Sequence, residues 1–191
     1  SNQCGDCTKC LDACPMGALA EPYQLNSKQC LGYLTLSKGY LKKKTREKMG
    51  RRLWGCDTCQ EVCSYNQSAQ VADHLEFRPQ KLAANPYLPP LVNLTEKEYQ
   101  EKFAITPMNW RGKRPIQRNA AVILGNLADE RAVPYLAEAL QDPKPIVRAH
   151  AAWALGKINN RESQKQLAQQ LQQETDERVR EEIQHAQKQK L

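Results

Sequence analysis

The stretch that most constrains this chain lies near its start. It reads Cys4-Gly5-Asp6-Cys7-Thr8-Lys9-Cys10-Leu11-Asp12-Ala13-Cys14-Pro15, a C-x2-C-x2-C-x3-C-P run. Three cysteines at two-residue gaps wrap one corner of an iron–sulfur cubane, and the amides between them point at its sulfides. The fourth follows a longer gap, ends at a proline and is carried to the other cluster of a pair. A second, broken copy follows as Cys30, Cys56, Cys59 and Cys63, so eight cysteines form two four-membered sets with none left over. By the ferredoxin rule, Cys4, Cys7 and Cys10 share one [4Fe-4S] cluster with Cys63, while Cys56 and Cys59 are joined at the other by Cys14 and Cys30. Cys30 is the departure from the pattern, since 25 residues separate it from Cys56. Counting retains it, because each cubane needs four ligands.

Two other uses of eight cysteines fit less well. A disulfide framework would spread them along a secreted chain, whereas all lie in the first third. Structural zinc favours two paired C-x2-C knuckles. Clusters imply a reducing, cytoplasmic setting. No apolar run reaches membrane-span length and no signal-peptide pattern opens the sequence, so no membrane association is expected. The formal charge of +7 counts every thiol as neutral. Eight thiolates around two cubane cores leave the holoprotein at about +3, so the clustering of the cations matters more than their total.

Residues 1–66 are therefore expected to form a ferredoxin-like domain interrupted by an insert. Leu31 to Tyr40 is short and mixed, compatible with helix or strand. Leu41 to Trp54 carries seven basic residues and one acidic residue, which suits either a solvated helix face or contact with a phosphate backbone. Residues 67–94, with Pro79, Pro86, Pro89 and Pro90, read as an extended surface connector. From 95 to 191 the chain reads as helices. Thr95-Glu96-Lys97-Glu98 is a capping box. Gln117-Arg118-Asn119-Ala120-Ala121 and its continuation return about 30 residues later as Val147-Arg148-Ala149-His150-Ala151, with a weaker copy from Val179-Arg180. Such a period predicts HEAT-like paired helices stacked into a solenoid, making the fold mainly α. Trp153 and Tyr135 are expected in its core, and His150 to be packed or at the surface rather than catalytic. Arg111, Lys113, Arg114 and Arg118 fall near helix N-termini, where amides and dipoles favour anions, and are candidates for a nucleic-acid surface. No nucleophile or general acid with a partner is evident.

The two-cluster motif, the Gly55-Cys56-Asp57-Thr58-Cys59-Gln60 signature, the Leu36-Ser37-Lys38-Gly39 segment and Arg118-Asn119-Ala120-Ala121 together resemble the carboxy-terminal part of the epoxyqueuosine reductase family. The resemblance covers essentially the whole chain. It implies an oxidoreductase that reduces the epoxide of epoxyqueuosine in transfer RNA to queuosine, using cobalamin and two [4Fe-4S] clusters. On that basis the Cys14, Cys30, Cys56, Cys59 cluster lies nearest cobalamin, and the Cys4, Cys7, Cys10, Cys63 cluster takes electrons from a donor. Asp57, Thr58 and Ser37 become candidate cobalamin contacts. Lys38, Arg111, Lys113, Arg114 and Arg118 become candidate contacts to the anticodon stem-loop. Family members carry a further amino-terminal domain that holds most of the cobalamin. This chain starts three residues before its first cysteine, so it is expected to bind clusters, to be a monomer and to be inactive alone. The competing reading is a ferredoxin-like carrier fused to a protein-binding solenoid.

Overall fold

A computed structural model describes residues 3–70, 74–77 and 85–188. The first helix, α1 (Lys9–Ala13), carries Cys10 and leads into a small antiparallel hairpin of β1 (Leu19–Glu21) and β2 (Gln24–Leu25), with Leu19 opposite Leu25. The insert is helical. Helix α2 (Leu31–Leu36) begins immediately after Cys30, and α3 (Lys43–Met49) occupies the basic stretch. The short α4 (Thr58–Glu61) carries Cys59 and packs beside α1.

The expected surface connector is corrected at its end. Pro89–Asn93 forms a 3-10 turn, and Leu91, Val92 and Leu94 are buried against the solenoid. The three apolar side chains give this segment a packing role that its prolines obscure. Pro79 lies outside the described residues.

The capping box is present. Thr95 Oγ1 accepts from the Glu98 amide and Glu98 accepts from the Thr95 amide, opening α5 (Glu96–Phe103). The repeats follow as α6 (Lys113–Leu127), α7 (Val133–Ala139), α8 (Pro145–Ile158), α9 (Arg161–Gln173) and α10 (Glu177–Gln187). Their punctuation is local. Pro145 opens α8, Asn160 and Asp176 cap α9 and α10, and left-handed Ala128 and Asn159 end α6 and α8. Helices α6, α8 and α10 stack through glycines. A Cβ on Gly125 would lie 2.8 Å from Ala154 Cα, and one on Gly156 would lie 2.5 Å from Ala186 Cβ. Trp153 is buried as expected, and Tyr135 packs against the core while partly exposed.

Helix α6 is the hub. It is buried without interruption from Pro115 to Gly125, because α8, the 89–93 turn and the insert cover different sides of it. Arg118 and Arg148 align as the same arginine in the repeats, yet their roles differ. Arg148 pairs with Glu174 at 2.7 Å inside the solenoid, whereas Arg118 turns toward the insert.

Candidate iron–sulfur centre

None of the eight cysteines is joined in a disulfide. The amino-terminal loop is folded back onto the end of the domain. Tyr65 donates its hydroxyl to Gln3 O at 2.6 Å, and Lys9 Nζ donates to Ser64 Oγ at 2.8 Å. On one strand of chain these bonds flank Cys4 and Cys7, and on the other they fall just after Cys63. Cys4 and Cys7 are exposed, while Cys10 and Cys63 are half-buried.

Cys14, Cys30, Cys56 and Cys59 line one partly open pocket together with Met16, Ala18, Leu19 and Leu31. Burial pushes the Cys14 thiol up, but the amides of Ala18, Met16, Leu19 and Gly17 outweigh that and bring it below its ordinary value. The amides thus form a cradle for a thiolate, with Ala18 N–H donating to Cys14 Sγ at 3.2 Å. Burial raises Cys59, and the neighbouring charges of Cys56, Cys30 and Cys10 raise it further. Gly32 supplies room, since a Cβ there would be 3.4 Å from Cys30 Sγ and within 4.0 Å of the Cys56 backbone. An apolar cavity with four thiols, a thiolate-stabilising loop and a missing side chain fits a cubane. A single zinc ion would need thiolates about 3.8 Å apart, given its short metal–sulfur bonds. Among the described residues no group of three or more His, Cys, Asp or Glu side chains is drawn together to hold a single ion.

On the far side of Cys56 lies an open groove of about 820 Å³. Cys56 and Thr58 belong to both walls. Asp57 lines the groove with Arg51, Arg52, Trp54 and Glu61. Arg52 donates to Thr58 Oγ1 at 2.7 Å, and that hydroxyl lies 3.5 Å from Cys56 Sγ. Arg52 carries no signal in the sequence beyond its charge. Ser37 is not on this wall. Its hydroxyl donates to Leu34 O at 2.8 Å, closing the last turn of α2, so its side chain serves the helix end.

The cations expected at the solenoid edge are largely committed. Arg118 is fully buried and donates to Ser37 O and Gly39 O at 2.7 Å and to Leu34 O and Thr35 O at 3.1 Å. This corrects its placement at a nucleic-acid surface: four carbonyls of the insert take its N–H groups at a buried position that no phosphate can reach. Arg114 chelates Asp142 at 2.9 Å. Lys113 donates to Leu94 O and stands 3.8 Å from Glu96. Arg111 stacks 3.8 Å above the exposed Trp110 ring, and its buried Nε has no hydrogen-bond partner among the described residues. Lys38 is exposed, as are Lys42, Lys43, Lys44, Lys48 and Arg51 along the insert. Arg46 of the same helix points inward, binding Glu182 in bidentate fashion at 2.7 and 2.8 Å and lying 5.4 Å over Trp153. His150 is buried, with Nδ1–H donating to Ile146 O and Nε2 accepting from Leu41 N; burial lowers its pKa to about 3. It is a packed histidine that ties the insert to α8.

Comparison with known proteins agrees with this geometry. Residues 3–66 match a 4Fe-4S double cluster binding domain, and residues 112–187 match HEAT repeats. The epoxyqueuosine reductase of Bacillus subtilis is 46% identical over 183 residues, 95% of this chain and 47% of that protein. Over nearly its whole length this chain is similar to about half of an epoxyqueuosine reductase. A crystal structure of epoxyqueuosine reductase with an epoxyqueuosine-modified tRNA-Tyr stem loop superposes with TM-score 0.93 at 45% identity, covering 98% of this chain and 50% of the other. The reductase of Streptococcus thermophilus gives TM-score 0.83 at 34% identity over 97% and 50%. The chain thus spans about half the length of the curated relatives it matches. Among the described residues, no helix is long and apolar enough to cross a membrane.

Proposed function

We propose that this chain is the electron-relay and RNA-contacting half of an epoxyqueuosine reductase. The observation that carries the reading is the shared wall: four cysteines line one cavity, and two of its residues, Cys56 and Thr58, also face an open groove. Reduction of an epoxide takes two electrons, and a [4Fe-4S] cluster passes one at a time. Two clusters in series therefore suit the reaction. The exposed Cys4 and Cys7 suit the end that meets a donor, and the enclosed Cys14, Cys30, Cys56 and Cys59 suit the end that delivers.

Cobalamin, when bound, supplies the reducing centre that meets the epoxide. Asp57, Thr58 and Arg52 would hold its near side in the groove, with Thr58 keeping Cys56 Sγ oriented. Phosphate contact falls to the cations that remain free. Lys38, Lys42 and, on α3, Lys43, Lys44 and Lys48 are exposed on the insert, and Arg51 lines the groove. The partly exposed Arg111 on Trp110 is a further candidate, with a ring able to stack on a base. The chain acts in the cytoplasm, as a monomer, with its remaining cobalamin contacts supplied by the other half of the enzyme.

Anaerobic reconstitution followed by iron analysis tests the core of this reading. Eight irons per chain with broad visible absorbance are expected. Zinc, or four irons, overturns it. Binding to an anticodon stem-loop should weaken steeply between 50 and 200 mM salt, by about tenfold or more for even a few phosphate contacts. Salt-insensitive capture of a protein partner favours the carrier-module reading instead.

A further inference from the structure

Cys30 and Cys56 are far apart in sequence and bracket an insert whose own contacts with the cluster cavity are few. Something must hold both ends of that insert in register. Helix α2 starts on Cys30, whose carbonyl accepts from Leu34 N at 2.9 Å. Its opposite end leaves carbonyls without intrahelical donors. Those carbonyls meet Arg118. Its guanidinium takes Leu34 O, Thr35 O, Ser37 O and Gly39 O, and its Nε is held by Asn119 Oδ1 at 3.0 Å. Asn119 Nδ2 then donates to Thr35 O and Leu53 O, both at 2.8 Å. Thr35, itself fully buried, accepts the Gly55 amide on its hydroxyl at 2.9 Å, and Gly55 precedes Cys56. Hydrogen bonds and short stretches of backbone therefore link α6 to Cys30 and to Gly55, the residue before Cys56.

We infer that Arg118 is a positioning residue for the cluster of Cys14, Cys30, Cys56 and Cys59, acting by capping α2 from the neighbouring solenoid. The inference rests on the assignment of those four cysteines to one cluster. Among the described residues Arg118 has no carboxylate partner, so its charge is set against the negative end of a helix. A fork of donors matches four diverging carbonyls; an ammonium presents a single point and does not. Asn126 repeats the arrangement one stage along, donating to Arg46 O and Gly50 O at the end of α3. The solenoid thus acts as the jig for the insert, and the cluster site is completed only when the two are docked.

The test uses the chain reconstituted anaerobically, with iron counted and the reduced clusters examined by electron paramagnetic resonance. Cys30→Ser supplies the reference spectrum of the other cluster alone. Arg118→Lys should drop iron from eight toward four and leave a spectrum matching that reference, while the helical melt of the solenoid persists. Thr35→Val should keep eight irons and shift the midpoint potential of the affected cluster only. Wild-type protein with fewer than eight irons would refute the cluster assignment itself. Eight irons and an unaltered spectrum in Arg118→Lys overturn the positioning role, as does parallel loss of both clusters. Should Arg118→Lys fail to fold, Thr35→Val decides alone, and an unshifted potential overturns the inference.

Discussion

The two halves of this molecule keep their shape by different means. Among residues 3–30 only Ala18 is buried, whereas α6 alone buries eleven consecutive residues. The first region has almost no hydrocarbon interior and matches a 4Fe-4S double cluster binding domain. The second follows ordinary globular packing, with side chains and glycine contacts fitted closely. Between them, the insert has a polar interface, held by Arg46, Arg118, Asn119, Asn126 and His150. The difference teaches that one chain can join a part with little hydrocarbon interior to a densely packed part through a hydrogen-bonded seam.

Removing the iron should break the comparison most strongly. Chelation is expected to abolish amide protection across residues 3–30 while helices α6 to α10 stay protected, because metal binding supplies folding energy only where ligands are gathered. Hydrogen exchange read by segment checks this, and equal loss in both regions would end the distinction. The converse test is Gly156→Val. Any side chain at this position meets Ala186 at once, so helices α8 and α10 must part, at a cost of about 3 kcal/mol. Calorimetry should show a lower melting temperature with all eight irons retained.

Acid probes the seam. Burial depresses His150 from an unfolded value of about 6.5 to about 3. Between those values the unfolded chain binds the proton and the folded chain does not, so stability falls as pH drops from about 6.5 toward 3. Glu174 adds to the same trend lower down. Burial opposes its charge, but Arg148, the Asp176 amide and Gln170 hold it at about 2. His150→Gln should flatten the upper part of the curve in urea titrations run across that range. The smallest effect is expected from Thr95→Ala, which removes the cap of α5 at about 1 kcal/mol and should leave both clusters untouched.

Much of this is legible in the sequence, for identifiable reasons. Cysteine spacing is a covalent signal, and the Pro, Asn and Asp at helix starts are local ones. The double glycine–alanine pattern of α6 and α8 points to close stacking. The insert's basic helix is visible too, but Arg46 cannot be told from Lys44, since both are cations three or fewer residues from a hydrophobe. Arg118 reads as a surface cation because its partners are backbone carbonyls, and a carbonyl leaves no mark in a sequence. Gln117 and Asn119 do offer a clue. They stand where the aligned second copy has Val147 and Ala149, a change from apolar to polar inside a core helix.

The amino-acid sequence alone carried the cysteine spacing, the helical repeat and the family resemblance, because each rests on residue type and spacing along one chain. Tertiary structure alone decided which cations stay free, which wall Cys56 and Thr58 share, and that α6 caps two helices of the insert. Those outcomes depend on long-range encounters of side chains with backbone groups, and every residue carries the same backbone.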